Sequence, residues 1–244
     1  MSTRLGETKE NNFGTLMKIV EYNRCLDITV EFQDEYKTKV HTTYSNFNKG
    51  SVKNPYDKSV YGVGYIGIGK YNVAKNESDD WKTRYSAWRN LIGRVYSEKT
   101  GYRHIPYIGC EVCKEWHNYQ NFAEWYETHM YQVGTERMHI DKDIIVEGNK
   151  IYSPETCIIV PQSINEIFHT DLRKTKDLDL PYTIRRAANN RYSVTYRAKS
   201  LGIYDTVEEC VDAYMKAKRE HIKNKVNELK DELPEYIQDI LLNW

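Results

Sequence analysis

The sequence predicts an α+β fold in three parts: a small β unit (residues 1–76), a central segment of aromatic helices and short strands (77–170), and a three-stranded antiparallel sheet packed on one helix (180–244). Three observations predict it. Apolar residues at strand spacing gather near the N-terminus, aromatic residues recur at helical spacing in the middle, and short strands after Pro181 run into a long amphipathic helix. The 244 residues suffice for one large domain or two to three small ones. With 40% hydrophobic and 29% charged residues, the balance is globular rather than disordered.

In the first part, "MKIVEYN" and "DITVEFQDE" read as strands with a turn near Asn23 and Arg24. "VYGVGYIGIGKY" fits G-x-G-x-x-G at Gly62, Gly64 and Gly67. The polar residues 72–80 supply no helix whose dipole would hold a phosphate, so a tight loop or bulged strand is expected. In the middle, Trp81, Tyr85, Trp88, Leu91, Ile92 and Val95 recur at helical spacing behind Ser78, Asp79 and Asp80 as candidate caps. A second helix is expected over 118–131, with Phe122, Trp125 and Met130 on one face, and these aromatics read as core. "MHIDKDIIVEGNKIYSP" reads as strand, turn, strand, and "PQSINEIF" as a short closing helix. After Pro181, turns at Asn189-Asn190 and near Lys199 to Gly202 separate three short strands. Thr206 and Glu209 have capping-box spacing, and the helix behind them turns Val207, Cys210, Tyr214, Ala217 and Ile222 inward. Pro234 interrupts it, and "YIQDILLNW" adds a last apolar turn or two.

Basic and acidic residues balance at 35 each, which excludes a uniformly basic coat and confines any polyanion contact to local patches. The clearest patch lies between Pro181 and Tyr204. There Arg185, Arg186, Arg191, Arg197 and Lys199 occur without an acidic residue, interleaved with Tyr182, Tyr192 and Tyr196. Strand alternation would put Arg185, Arg191 and Arg197 on one face and Ile184, Val194 and Ala198 on the other, against the helix. A solvated basic face is the plainer alternative. The 21 tyrosines suit half-wet binding surfaces and base stacking, although small β domains also use them as core. The polar N-terminus carries no secretion signal, no run approaches 18 apolar residues, and five irregularly spaced cysteines fit a reducing compartment. The expectation is a cytoplasmic protein that does not span a membrane. Cys110 and Cys113 stand at zinc spacing, with Cys157, His104, His117 and His139 as further donors. A lone C-x-x-C without a partner pair leaves buried thiols, not structural zinc, as the expectation.

Two stretches carry family resemblances. "RYSVTYRAKSLGIYDTVEECVDAYMKAK" resembles the Apetala/ethylene-response-factor DNA-binding domain, over about residues 181–222. The resemblance implies a sheet laid in the major groove of double-stranded DNA, read by strand residues. The matching positions are Arg185, Arg186, Arg191, Tyr196 and Arg197, and Tyr192 and Lys199 complete the candidate DNA-binding set. The tryptophans that plant members use at the start of the sheet are absent, so no base preference carries over.

"VCKEWHNYQNFAEWY" and "HIDKDIIVEGNKIYSPETCIIVPQSIN", within roughly residues 81–165, look like the central region of phage-borne homing-endonuclease-like proteins of the His-Asn-His superfamily. Many of those carry an Apetala-like module at the C-terminal end and a small β unit at the N-terminal end. The resemblance implies a central ββα-metal unit. Asp141 and Asp143 would bind Mg or Mn, and His139, Asn149 and Asn165 would complete a nuclease site. Lys142 stands where the family pattern often has the histidine base. A lysine ammonium is a poor base at neutral pH, and losing a positioned base costs about 10²–10⁴ in rate. His139, two residues before Asp141, is the candidate substitute. The site is then either a degenerate fold kept for binding or a slow, unusual nuclease. A third possibility is a salt-bridged strand end followed by a hairpin at Gly148-Asn149. Three functions follow as expectations, the first favoured: a phage or mobile-element protein that binds duplex DNA; a metal-dependent site-specific endonuclease using Asp141 and Asp143 with His139; and a phage protein that binds a host defence or regulatory protein.

Overall fold

The computed structural model describes residues 4–73, 80–97, 107–168, 180–181 and 183–244, apart from the side chains of 80–82. The expected caps Ser78 and Asp79, together with His104 and Tyr182, lie outside the described residues, as do the side chains of Asp80 and Trp81. The fold is mixed α+β and divides into two compact units, Met1–Thr128 and His129–Trp244. The boundary falls inside the middle segment. Its aromatic helices therefore fall in the first unit, and its strands from Met138 onward fall in the second.

In the first unit, β1 (Thr8–Glu10), β2 (Leu16–Arg24), β3 (Asp27–Phe32) and β4 (Lys39–Thr42) form an antiparallel sheet in chain order. Alternation along β2 and β3 turns Met17, Ile19, Ile28, Val30 and Phe32 onto one buried face. Phe47 of α1 (Tyr44–Asn48) and Val52 close that core. The β2–β3 turn falls just beyond Asn23-Arg24, because Arg24 still pairs with Asp27. Buried Asp57 fastens the following segment to the sheet, accepting from Asn11 Nδ2 and Thr15 Oγ1, each at 2.6 Å. Then come α2 (Asp80–Tyr96), the short β5 (Glu111–Val112) and α3 (Tyr119–His129). Trp88, Leu91 and Ile92 of α2 and Phe122, Trp125 and Tyr126 of α3 are buried, and the Trp88 indole N–H donates to the Trp116 carbonyl at 2.7 Å. The glycine run forms a packed loop. A Cβ on Gly64 would stand 2.8 Å from the Trp88 ring, and the Gln120 amide bonds backbone groups of Ile66 and Tyr71.

In the second unit, β6 (Met138–Asp141) pairs antiparallel with β8 (Ile158–Pro161), and α4 (Gln162–Phe168) packs on both. The expected strand, turn and strand are present as β6, a turn and the short β7 (Ile151–Tyr152), but the strand that pairs with β6 is β8, and within the intervening residues 142–157 Ile144 packs into the core. Burial decides the pairing: every residue of β8 is buried, whereas Ile151 is exposed. The three-stranded antiparallel sheet follows in the order β11 (Lys199–Tyr204), β10 (Tyr192–Tyr196), β9 (Ile184–Arg186). Its second turn is at Arg197-Ala198 rather than Lys199 to Gly202, since Lys199 already pairs with Tyr196.

Helix α5 (Val207–Glu228) begins with the Thr206–Glu209 capping box, and α6 (Glu235–Leu242) starts after Pro234. At about 1.5 Å per residue, α5 is long enough to serve two cores. Cys210 and Tyr214 pack with Ile184 and Val194 of the sheet. Ile222 and Val226 pack with Ile158, Val160 and Ile164 of the ββα unit and with Ile237 and Leu241 of α6. The inward position expected of Ala217 belongs instead to Lys218, which is 3% exposed, its ammonium 4.3 Å from the Trp244 ring centroid and 5.1 Å from that of Phe168. No helix among the described residues is long and apolar enough to cross a membrane.

Candidate nucleic-acid interface

The residues expected to form a nuclease site separate into two groups. His139 on β6 faces α4, where Asn165 Nδ2 lies 3.3 Å from its Nδ1. The other four residues form a clasp in the loop after β6. Asp141 Oδ1 accepts the backbone N–H groups of Asp143 and Ile144 at 2.7 and 2.9 Å, closing a turn. Burial pushes the Asp141 carboxyl above its ordinary value, and those two N–H groups oppose the rise. Lys142 is 6% exposed, and its ammonium donates to both Asp143 carboxylate oxygens (2.8 and 2.7 Å) and to the Asn149 carbonyl (2.6 Å). The Asn149 amide donates to the Lys142 and Ile151 carbonyls and accepts the Ile151 N–H, so it staples the loop across its neck.

This donor set does not fit a divalent metal. Lys142 occupies both oxygens of Asp143, Asp141 closes a turn, and His139, Asp141 and Asp143 do not converge. Among the described residues no group of three or more His, Cys, Asp or Glu side chains could hold a metal ion. Cys110 and Cys157 are buried, and Cys113 is half-buried.

The basic stretch is displayed differently. The register aligns Arg185 with Ser193 and Ser193 with Ile203, so these three share the face of the sheet turned away from α5. Arg191, one residue before β10, continues the same alternation. Its Nε meets Asp205 Oδ1 at 2.7 Å, and its Nη2 donates to the Ile203 carbonyl at 3.0 Å. Arg197 sits at the hairpin tip rather than on the open face, and Ala198 is exposed beside it instead of resting on the helix. Arg185, Arg186, Arg191, Arg197 and Lys199 are all exposed, with the Arg186 guanidinium 5.9 Å from the Tyr192 ring centroid.

The two tyrosines point elsewhere. Tyr192 and Tyr196 share the parity of buried Val194 and pack toward α5. The Tyr196 hydroxyl lies 2.7 Å from His221 Nδ1, and its ring meets Tyr214 edge-on at 5.2 Å. Tyr196 is therefore a core contact and not a base-reading one. Burial holds the His221 imidazole below its ordinary value, helped by the nearby charges of Arg197 and Lys225. Sequence reasoning located the basic cluster from its lack of acids. It missed the inward turn of Tyr196, which the one-residue alternation from Val194 could have signalled. It also missed the arginines on the outer side of α2, masked by the stronger aromatic pattern of that helix. Comparison of the chain with protein-family models, with curated proteins and with solved structures finds no match.

Proposed function

We propose that the chain binds duplex DNA through the C-terminal sheet, with its ββα unit as a holding element rather than a cutting one. The observation that carries this reading is the exposure of all five basic side chains between Pro181 and Tyr204, a stretch without a single carboxylate. Arg185 stands on the open face, where a guanidinium can reach a base edge, while Arg197 and Lys199 at the hairpin end suit phosphates. Arg191 is tied to Asp205 and positions the strand ends instead. The Apetala-like order of strands and helix agrees with major-groove docking. In the ββα unit the ion pair of buried Lys142 with Asp143 supports holding, because a lysine so engaged is no acceptor for a proton from water.

Fluorescence anisotropy with a panel of duplexes tests the reading. Arg185→Ala should lose about 1–3 kcal/mol of discrimination between the preferred and scrambled duplexes. Arg197→Ala should weaken all duplexes alike and lower the salt slope by about 0.9. Wild-type protein without salt-dependent affinity for any duplex would overturn it. Plasmid cleavage with magnesium or manganese that disappears in Asp141→Ala would replace it with the endonuclease reading.

A further inference from the structure

Helix α2 of the first unit carries a second basic surface. Of its 17 residues, Lys82, Arg84, Arg89 and Arg94 are basic, and the sole acid, Asp80, opens the helix. That acid lies nine residues before Arg89, about 13 Å along the axis. Burial of Trp88, Leu91 and Ile92 fixes the rotation of the helix, which leaves Ser86, Arg89, Asn90 and Arg94 exposed. Arg84 is not part of this surface. It turns inward, its Nε donating to the Tyr119 hydroxyl at 3.2 Å.

Each outward arginine has an aromatic neighbour. The Arg89 guanidinium lies 5.7 Å from the Tyr61 ring centroid, and that of Arg94 lies 5.8 Å from Tyr107. Tyr61 is 41% exposed and held at φ 51°, with its ring laid over Gly93, where a Cβ would stand 2.8 Å from ring carbon. Glycine at 93 thus lets the ring lie flat against the helix beside Arg89. Neither arginine forms an ion pair among the described residues. A merely solvated helix face usually alternates its charges in sign, and this one does not. Ser86 and Asn90 add short neutral donors of the kind that contact phosphate oxygens.

We propose that this face of α2 is a second site for duplex DNA, one that neutralises backbone phosphates through Arg89 and Arg94 and is indifferent to sequence. The proposal rests on the duplex-binding reading of the sheet but concerns separate residues. The test uses the full chain, anisotropy and a salt titration with preferred and scrambled duplexes. Each phosphate neutralised releases counterions and contributes about 0.9 to the slope, so Arg89→Ala/Arg94→Ala should lower it by about 1.8. Between 50 and 200 mM salt the wild type should then lose about 12-fold more affinity than the variant. Preference between duplexes stays unchanged, unlike in Arg185→Ala. Arg89→Lys/Arg94→Lys keeps the charge and should keep the wild-type slope, which separates phosphate contact from misfolding. An unchanged slope in the alanine variant, or a lysine variant that behaves like it, overturns this proposal while the sheet reading stands. Absence of duplex affinity in the wild type overturns both.

Discussion

An ammonium that is 6% exposed needs acceptors, and Lys142 has three oxygens within 2.8 Å. The same geometry decides what its neighbour Asp141 can do. Burial raises the Asp141 carboxyl, so its folded value lies above 3.8. The folded state therefore holds this proton at a pH where the unfolded chain has released it. The stability contributed by the group is fully present below 3.8 and is lost as pH rises through the folded value. At neutral pH the charge is a cost, and what the turn uses is one oxygen that accepts two N–H groups. Asp141→Asn keeps that oxygen and removes the charge, so its urea midpoint at pH 7 should equal or exceed that of the wild type. Asp141→Ala leaves two N–H groups without their acceptor and should lose about 1–3 kcal/mol. A metal-ligand role predicts something else: little change in stability for either variant, and loss of metal-dependent activity in both.

The β10–β11 hairpin shows how an element can depart from what its sequence announces. Arg197 and Ala198 both adopt left-handed backbone, at φ 46° and 64°, the conformation of a two-residue turn usually given to Asn-Gly. Ala198→Gly should relieve the Cβ clash and raise stability by about 1 kcal/mol without altering any charge. Thermal melts would check it, and a lowered midpoint would mean that the turn is not strained. Neither residue is a turn former, and the expected turn near Lys199 to Gly202 lies just beyond them. Local rules were legible where the interaction is local. The Thr206–Glu209 capping box, the Asn189-Asn190 turn and the amphipathic run of α5 all involve residues within a few positions of each other. The β6–β8 pairing was not legible, because Ile158 follows Asp141 across the whole clasp loop and only burial tells β8 from the closer Ile151. The candidate site divides along the same line. Lack of acids marked the five basic side chains, whereas the hydroxyl contact of Tyr196 with His221 and that of the buried Lys142 ammonium with the Asn149 carbonyl join residues 25 and 7 positions apart in the chain.

In the second unit, α5 packs against two sheets that share no strand. Its first half carries the core under the basic sheet and its second half carries the core of the ββα unit. This gives the ββα unit a role that needs no chemistry. It packs on Ile222 and Val226 of the same helix that backs the proposed DNA-docking sheet. Ile222 is 3% exposed and lies outside the sheet core, so Ile222→Ala removes contacts in the core shared by the ββα unit and α6. The cavity should cost about 2–5 kcal/mol. If α5 couples the two cores, native-state hydrogen exchange should show amide protection falling together in β8 and in β10, although β10 has lost no contact of its own. Protection lost in β8 while β10 keeps its wild-type value would mean that the sheet stands on its own helix turn. The ββα unit would then have to be explained by a function of its own. A joint loss would instead tie the proposed DNA affinity to the stability of the ββα unit, and Ile222→Ala should then weaken duplex binding while leaving the preference between duplexes unchanged.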